Sequence, residues 1–437
     1  MRLALVVAVA ACVPSQSELR SPVDAELSRR LGAPIELAPA DPHALDALLA
    51  KPLDADAAVR IALLHSPRLR AALDELGIAG SELATALAPG PMHVDVMFRH
   101  GGGATEEEVE AIQPILQFLV GGRARAAARA DLSAARAKAA ATAIALAARV
   151  EIAFHDLAAA EQEVELRRTA FDAADTAATI RERMRASGAT TELAQARDRD
   201  AREQTRIDLA RAEADVEARR EALNALLGLS GDQTKWTATA ALPELPAAAP
   251  ALDDLEPAAV RASFELAAGR DRVTAAESHV GDEQLRSFLP DLGVGLSLID
   301  RDHELEYGPA VRVGLPLLDW RSGPRARAHA ELARADHELE AVAVELRASA
   351  RAARIAALEA YQEARRLHDV VLPLRQQIVD ETVLHYNAMD ADPFQLIVAR
   401  RELADAGHLY LDALRRYANA MAEVSALRRG ARPEVNP

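Results

Sequence analysis

The sequence predicts a mainly α protein with a small β part, in which two tandem copies of a long-helix unit each carry one short hairpin. Three observations predict it. Alanine supplies about one hundred of the 437 residues while aromatic residues make up 3%, far from ordinary globular usage. Alanine has the best helix propensity and lets backbones approach, so this composition suits long helices packed side by side better than one thick core. The two halves of the chain match each other at an offset of about 200 residues. Two stretches, near residues 92–99 and 291–298, alternate apolar and polar side chains with the period of a strand.

The N-terminal residues 1–11 read as a signal peptide: Arg2, an apolar run over 3–9, then Ala10 and Ala11. The pattern Val9-Ala10-Ala11-Cys12 resembles a bacterial lipobox, in which the cysteine is lipidated and becomes the first mature residue. The other reading is a buried or incidental cysteine behind an ordinary signal. Val13 stands where an aspartate would favour inner-membrane retention, so the resemblance points to the outer membrane. Cys12 is the one cysteine, which excludes an internal disulfide and a cysteine-held zinc or iron-sulfur centre. Residues 12–54, rich in Pro, Ala and Asp, read as an extended lead segment with a short helix near 25–31. No later apolar stretch reaches the ~20 residues of a spanning helix, so any membrane crossing falls to strands.

The first repeat covers 55–228 and the second 253–430. A linker over 229–252 containing a Pro/Ala stretch lies between them, and a tail follows over 431–437. Ala57-Ala58-Val59-Arg60 recurs at Ala258-Ala259-Val260-Arg261; Val94, Val96 and Phe98 find counterparts in Val294, Leu296 and Leu298; Gln113-Pro114 corresponds to Leu315-Pro316. Each repeat predicts a helix (56–87, 255–286), a hairpin, a very long helix (123–186, 325–387), a break, and a further helix (191–227, 393–428). At 1.5 Å per residue the long helices reach roughly 95 Å. Leu332, Leu339 and Leu346, with Ala335 and Val342 between them, form a coiled-coil seam. Leu209, Val216 and Leu223 form a seam beside a second one of Ala210, Ala214, Ala218 and Ala222. Two seams give a helix two neighbours, as in the wall of an α-barrel, although a plain antiparallel bundle accounts for the seams equally well.

The hairpins discriminate. Val94, Val96 and Phe98 share one strand face with Met92, against His93, Asp95 and Arg99 on the other. Val294, Leu296 and Leu298 share a face with Leu292, and the return strand puts Val311 and Val313 beside Tyr307, Leu315 and Leu317. Half-buried hairpins of a soluble protein would show the same alternation. Strands of about nine residues suffice to cross an outer membrane, with residues 100–108 and 299–306 as polar loops. Four strands cannot close a barrel, and open edges in lipid are costly. Three chains would supply twelve, so closure predicts a homotrimer with a transmembrane β-barrel facing outer-membrane lipid.

At this point the order of elements, with "AVRIALLHSPRLRAA" opening the first repeat, "GGRARAAARA" and "GPRARAHAEL" where strand gives way to long helix, and "LNALLGL" closing the repeat, resembles the TolC family of outer-membrane efflux channels over about residues 53–430. The resemblance implies a trimer with a β-barrel in the outer membrane and an α-helical tunnel in the periplasm. It implies a periplasmic adaptor protein and an inner-membrane pump as partners, in an efflux or type I secretion system exporting small molecules or ions. Cys12 suggests the lipidated branch. The helix breaks, at Ser187-Gly188 and 389–393, would be the periplasmic tips, where Asp390 and Asp392 are gate candidates that could pair with Arg183 or Arg185; simple helix capping accounts for them too. Gly188 suits a helix end and Pro393 a first turn. The runner-up is a periplasmic coiled-coil scaffold lipoprotein without a pore.

The sequence carries no enzyme signature and no cofactor or metal motif. The twelve histidines are scattered, and Gly101-Gly102-Gly103 lacks the Lys-Ser/Thr of a phosphate loop. A net charge of -16 argues against nucleic acid as a partner.

Overall fold

The computed structural model describes residues 15–35, 37, 42–88, 90–101, 104–239, 241–288, 291–301, 304–314, 321–388, 390 and 393–433. Cys12 and Asp392 lie outside the described residues, as do Leu315 and Leu317. Two lead helices, α1 (Gln16–Leu31) and α2 (Pro42–Leu49), occupy much of the segment expected to be extended. A capping box starts the first of them: Glu18 N–H donates to the Ser15 hydroxyl while Ser15 N–H donates to Glu18.

The first repeat then runs α3 (Ala55–His65), α4 (Pro67–Leu87), β1 (His93–Gly101), β2 (Ala104–Pro114), α5 (Leu116–Ala186) and α6 (Glu192–Leu227). The second runs α7 (Leu255–Ala262), α8 (Phe264–Phe288), β3 (Leu292–Arg301), β4 (Glu304–Val313), α9 (Ser322–Arg366), a π turn (Leu367–Val371), α10 (Leu372–Asn387) and α11 (Pro393–Arg429). The duplicated order is as expected.

The opening helix of each repeat differs from expectation: it is two helices, broken at Ser66 and at Ser263, which share an extended backbone near φ -60°. Pro67 disfavours the helical conformation at Ser66; Phe264 imposes no such restriction, yet the break is kept. The breaks lie 197 residues apart by number and the AAVR tetrapeptides 201, so the tetrapeptides stand one helical turn out of register. The end of the first repeat fits closely here. Gly228 ends α6 at φ +75°, and a Cβ on it would sit 2.8 Å from Pro67 and 3.1 Å from the His65 carbonyl.

The long helix of the second repeat is interrupted by the π turn. Pro373, just past it, has no N–H to give residue 369 and crowds that carbonyl, and a widened turn absorbs both. Helix α5, with 71 residues, starts earlier than the expected 123. Residues 109–119 read as the return strand of the first hairpin, and period alone does not separate a short apolar strand from the start of a helix.

The chain forms two compact units, each drawing on both repeats. The first comprises the described parts of residues 1–35, 71–141 and 264–345. It contains the four strands, and its helices approach closely through small residues: Ala127 and Ala130 of α5 pack on Ala275 of α8, and Gly269 of α8 leaves no room for a Cβ beside Leu339 of α9. The second unit comprises 36–70, 142–263 and 346–437 in their described parts. There Leu53 exchanges two hydrogen bonds with Thr237 and Thr239, Trp236 donates to Asn224 at 2.8 Å beneath Arg220, and Leu245 packs on clusters from α5, α9 and α11. The linker is thus bonded into the second unit at both ends.

Candidate functional site

The strands form one antiparallel sheet in the order β1-β2-β3-β4. Its register places the side chains on two faces. Val94 and Val96 of β1 align with Ala111 and Val109 of β2; these align with Leu296 and Leu298 of β3, and those with Pro309 and Tyr307 of β4, while Phe98 at the loop end aligns with Glu107 and, through it, with Asp300 and Leu305. Val294 faces Val311 and Leu292 faces Val313. All eight strand residues picked from alternation therefore share one face. That face is exposed in the single chain: Phe98 by 66%, Leu296 by 62%, Val311 by 67% and Tyr307 by 81%. A contiguous apolar surface of this kind is not left to water.

The opposite face is charged. Arg99 lies 3.3 Å from Glu106 and 3.4 Å from Glu108, Arg301 lies 3.6 Å from Glu106, and Ser297 donates to Glu108. Arg312 of β4 donates to Asp95 of β1 at 2.8 Å and lies 3.9 Å from Glu110. The contact between Arg312 and Asp95 joins the two edge strands, so the sheet is curled with its charged face concave. A Cβ on Gly295 would fall 1.9 Å from the Ala111 carbonyl, which shows how closely β2 and β3 approach inside the curl. The loops are shorter than expected: residues 106–108 and 299–301 belong to strands, because a wet strand face carries charge as readily as a loop does.

The helix breaks lie in the second unit. Ser187 and Gly188 link α5 to α6, with Gly188 at φ +75° and Thr191 accepting from Ala194 N–H as the N-cap of α6. Arg181 pins this tip, donating to buried Asp198 at 2.6 Å and to Thr190. Past the other break Pro393 opens α11, and further along the two helices Arg375 of α10 pairs with Glu402 of α11. Asp390 is exposed; its carboxylate lies 3.0 Å from His385 Nδ1 and its N–H donates to the His385 carbonyl. In the single chain Asp390 is held by that histidine, not by Arg183 or Arg185. Leu374, Ile378, Glu381, Thr382 and His385 of α10 line an open groove of about 530 Å³ that reaches Asp390 and Gln395.

One polar cluster has no sequence signature. Asp156 of α5 accepts from Arg219 of α6 and from Arg415 and Asn419 of α11, at 3.2, 2.9 and 2.9 Å, and Arg416 continues the network to Glu363 of α9. His155 beside it is buried, and burial holds its pKa below the ordinary histidine value against the pull of Asp156 and Asn419. Burial likewise raises Glu151 and Glu423 above the usual carboxylate range. The members are brought together from positions up to 263 residues apart, beyond the reach of spacing arguments. Among the described residues no group of His, Cys, Asp and Glu could hold a metal ion, and no helix is long and apolar enough to cross a membrane.

The fold is one that solved outer-membrane channels share. No protein-family model matches the sequence, and no curated protein does. Solved structures do match. The outer membrane protein VceC from Vibrio cholerae is 17% identical with a TM-score of 0.71, over 86% of this chain and 96% of that one. The Campylobacter jejuni CmeC outer membrane channel is 13% identical with a TM-score of 0.69, over 97% and 89%. The open state of the Neisseria gonorrhoeae MtrE outer membrane channel is 18% identical with a TM-score of 0.60, over 88% and 91%. The chain has their fold, which is the fold the TolC resemblance implied.

Proposed function

We propose that the chain is a homotrimeric outer-membrane channel of the TolC type, reaching into the periplasm and passing small molecules or ions outward from an inner-membrane pump through a periplasmic adaptor. The observation that carries this reading is the sheet. One face is apolar and exposed, the other is charged and concave, and among the described residues β1 and β4 each leave an edge without a neighbouring strand. Strands of 9 to 11 residues match a tilted crossing of an outer membrane. Three such sheets closed edge to edge give an apolar exterior and a polar lumen. A poreless scaffold would leave the apolar face without a partner.

On this reading Cys12 carries the lipid anchor, which loss of fatty-acid labelling in Cys12→Ala checks, and the tips containing Gly188, Asp390, Asp392 and Pro393 close the periplasmic end. Protein purified from membranes should then form channels in planar bilayers with low resting conductance. The double change Asp390→Ala, Asp392→Ala should raise that conductance several-fold. Channels with unchanged conductance and selectivity would reduce the aspartates to helix caps; no channel at all would sink the pore.

A further inference from the structure

The duplication fixes more than the order of elements. The hairpin β1–β2 pairs His93 with Ile112, and β3–β4 pairs Gly293 with Arg312; 293 is 93 plus 200 and 312 is 112 plus 200, so the second hairpin repeats the register of the first. Between the hairpins, β2 pairs Ile112 with Gly295 of β3. Moved by the same 200 residues, that junction becomes β4 against β1, and it places Arg312 opposite Asp95. One chain cannot make this junction, since its β1 and β4 are the opposite edges of the sheet. A second copy can.

We propose that β4 of one protomer pairs antiparallel with β1 of the next in this register, and that the Arg312–Asp95 ion pair, made within the free chain, is exchanged for the same pair between chains on assembly. The inference rests on the pore reading and adds the seam. Three features of the structure agree with it. The register keeps the faces in phase, with Val313 opposite Val94 of the partner subunit, Val311 opposite Val96 of the partner subunit and Pro309 opposite Phe98 of the partner subunit on the apolar side. On the concave side Ala310 meets Met97 of the partner subunit, and Arg312 meets Asp95 of the partner subunit. The pair within the chain is also incompatible with closure. Twelve strands about 4.8 Å apart and tilted about 40° make a barrel of radius about 12 Å, in which strands three places apart lie about 17 Å from each other. An arginine and an aspartate extended toward each other through a hydrogen bond span at most about 13 Å. The contact of 2.8 Å therefore belongs to a sheet curled more tightly than a third of the barrel. Opening that sheet separates the pair, and the seam restores it from the neighbouring chain.

Cysteine pairs in the full-length protein, oxidised in detergent and read on non-reducing gels beside single-cysteine controls, test the register. Arg312→Cys with Asp95→Cys, and Ala310→Cys with Met97→Cys, should give covalent dimers and trimers at least tenfold above the shifted pairs Arg312→Cys with Met97→Cys and Arg312→Cys with His93→Cys. A second arm leaves cysteines out. Arg312→Asp alone and Asp95→Arg alone should lose most of the trimer, and co-expression of the two variant chains should recover it, because a mixed trimer restores two of its three seams. If only the pair within a chain mattered, every chain in that mixture would stay mismatched and nothing would be recovered. A trimer by native mass whose links fall out of register, or form only within chains, overturns the seam alone. A monomer by native mass overturns the pore reading and the seam with it.

Discussion

Arginine at Leu296 is expected to abolish assembly, whereas arginine at the adjacent Ser297 leaves the protein assembled in the membrane. Leu296 sits between Ala111 and Pro309 in the middle of the apolar face and is 62% exposed. A guanidinium at the bilayer midplane of a β-barrel costs about 2–4 kcal/mol, and a trimer incurs it three times. Ser297 points to the concave face, where its hydroxyl donates to Glu108 and Glu110 lies across the ladder. An added arginine there meets carboxylates already placed to receive it. Trimer yield from membranes, compared between the two variants, is the measurement; equal tolerance at both positions would mean that the apolar face does not meet lipid.

The second large effect is expected far from the strands. Asp156→Ala removes the one carboxylate that receives Arg219, Arg415 and Asn419 together. Asp156 is 17% exposed and its arginines 41% and 28%. The loss should therefore fall somewhat below that of a fully buried pair, at about 2–4 kcal/mol. Asp215→Ala, which removes an exposed partner from the same Arg219, should cost about 0.5 kcal/mol or less. Urea midpoints separate the two, and similar midpoints would show that Asp156 is not the centre of the network. The same region gives a pH dependence with a definite sign. Burial lowers the pKa of His155 in the folded chain, so below about pH 6.5 the unfolded chain takes up a proton that the folded chain resists. The His155 contribution is thus present at higher pH and lost as the pH falls, and His155→Gln should flatten that decline.

The parts of this architecture that repeat locally were legible in the sequence. Alternation at Val94, Val96, Phe98 and at Val294, Leu296, Leu298 marks one strand face because every second side chain points the same way, and the register confirms that the two sets share it. Proline at 67 and at 373 accompanies a break and a widened turn, yet the expected helices over 56–87 and 325–387 run through both, and Pro22 sits inside α1 without ending it. The break at Ser263 had no such mark. Charge at Glu106 and Glu108 was read as loop, since composition does not distinguish a water-exposed tip from the wet side of a strand. The cluster around Asp156 depends on four helices meeting, and single helices carry no trace of it. Arg312 and Asp95, separated by 217 positions, became a pair only once the strand order and register were known.

On the proposed reading, the apolar and charged faces of the sheet are the outside and inside of a pore built by three chains. A cryo-EM reconstruction of the full-length protein, extracted from membranes in mild detergent, tests it most directly. The expected result is a threefold particle whose twelve strands close into one barrel, with Leu296 and Val311 against the detergent belt and Glu108 and Arg312 in the lumen. A monomeric particle, or an oligomer in which the apolar strand face packs on protein away from detergent, would contradict it.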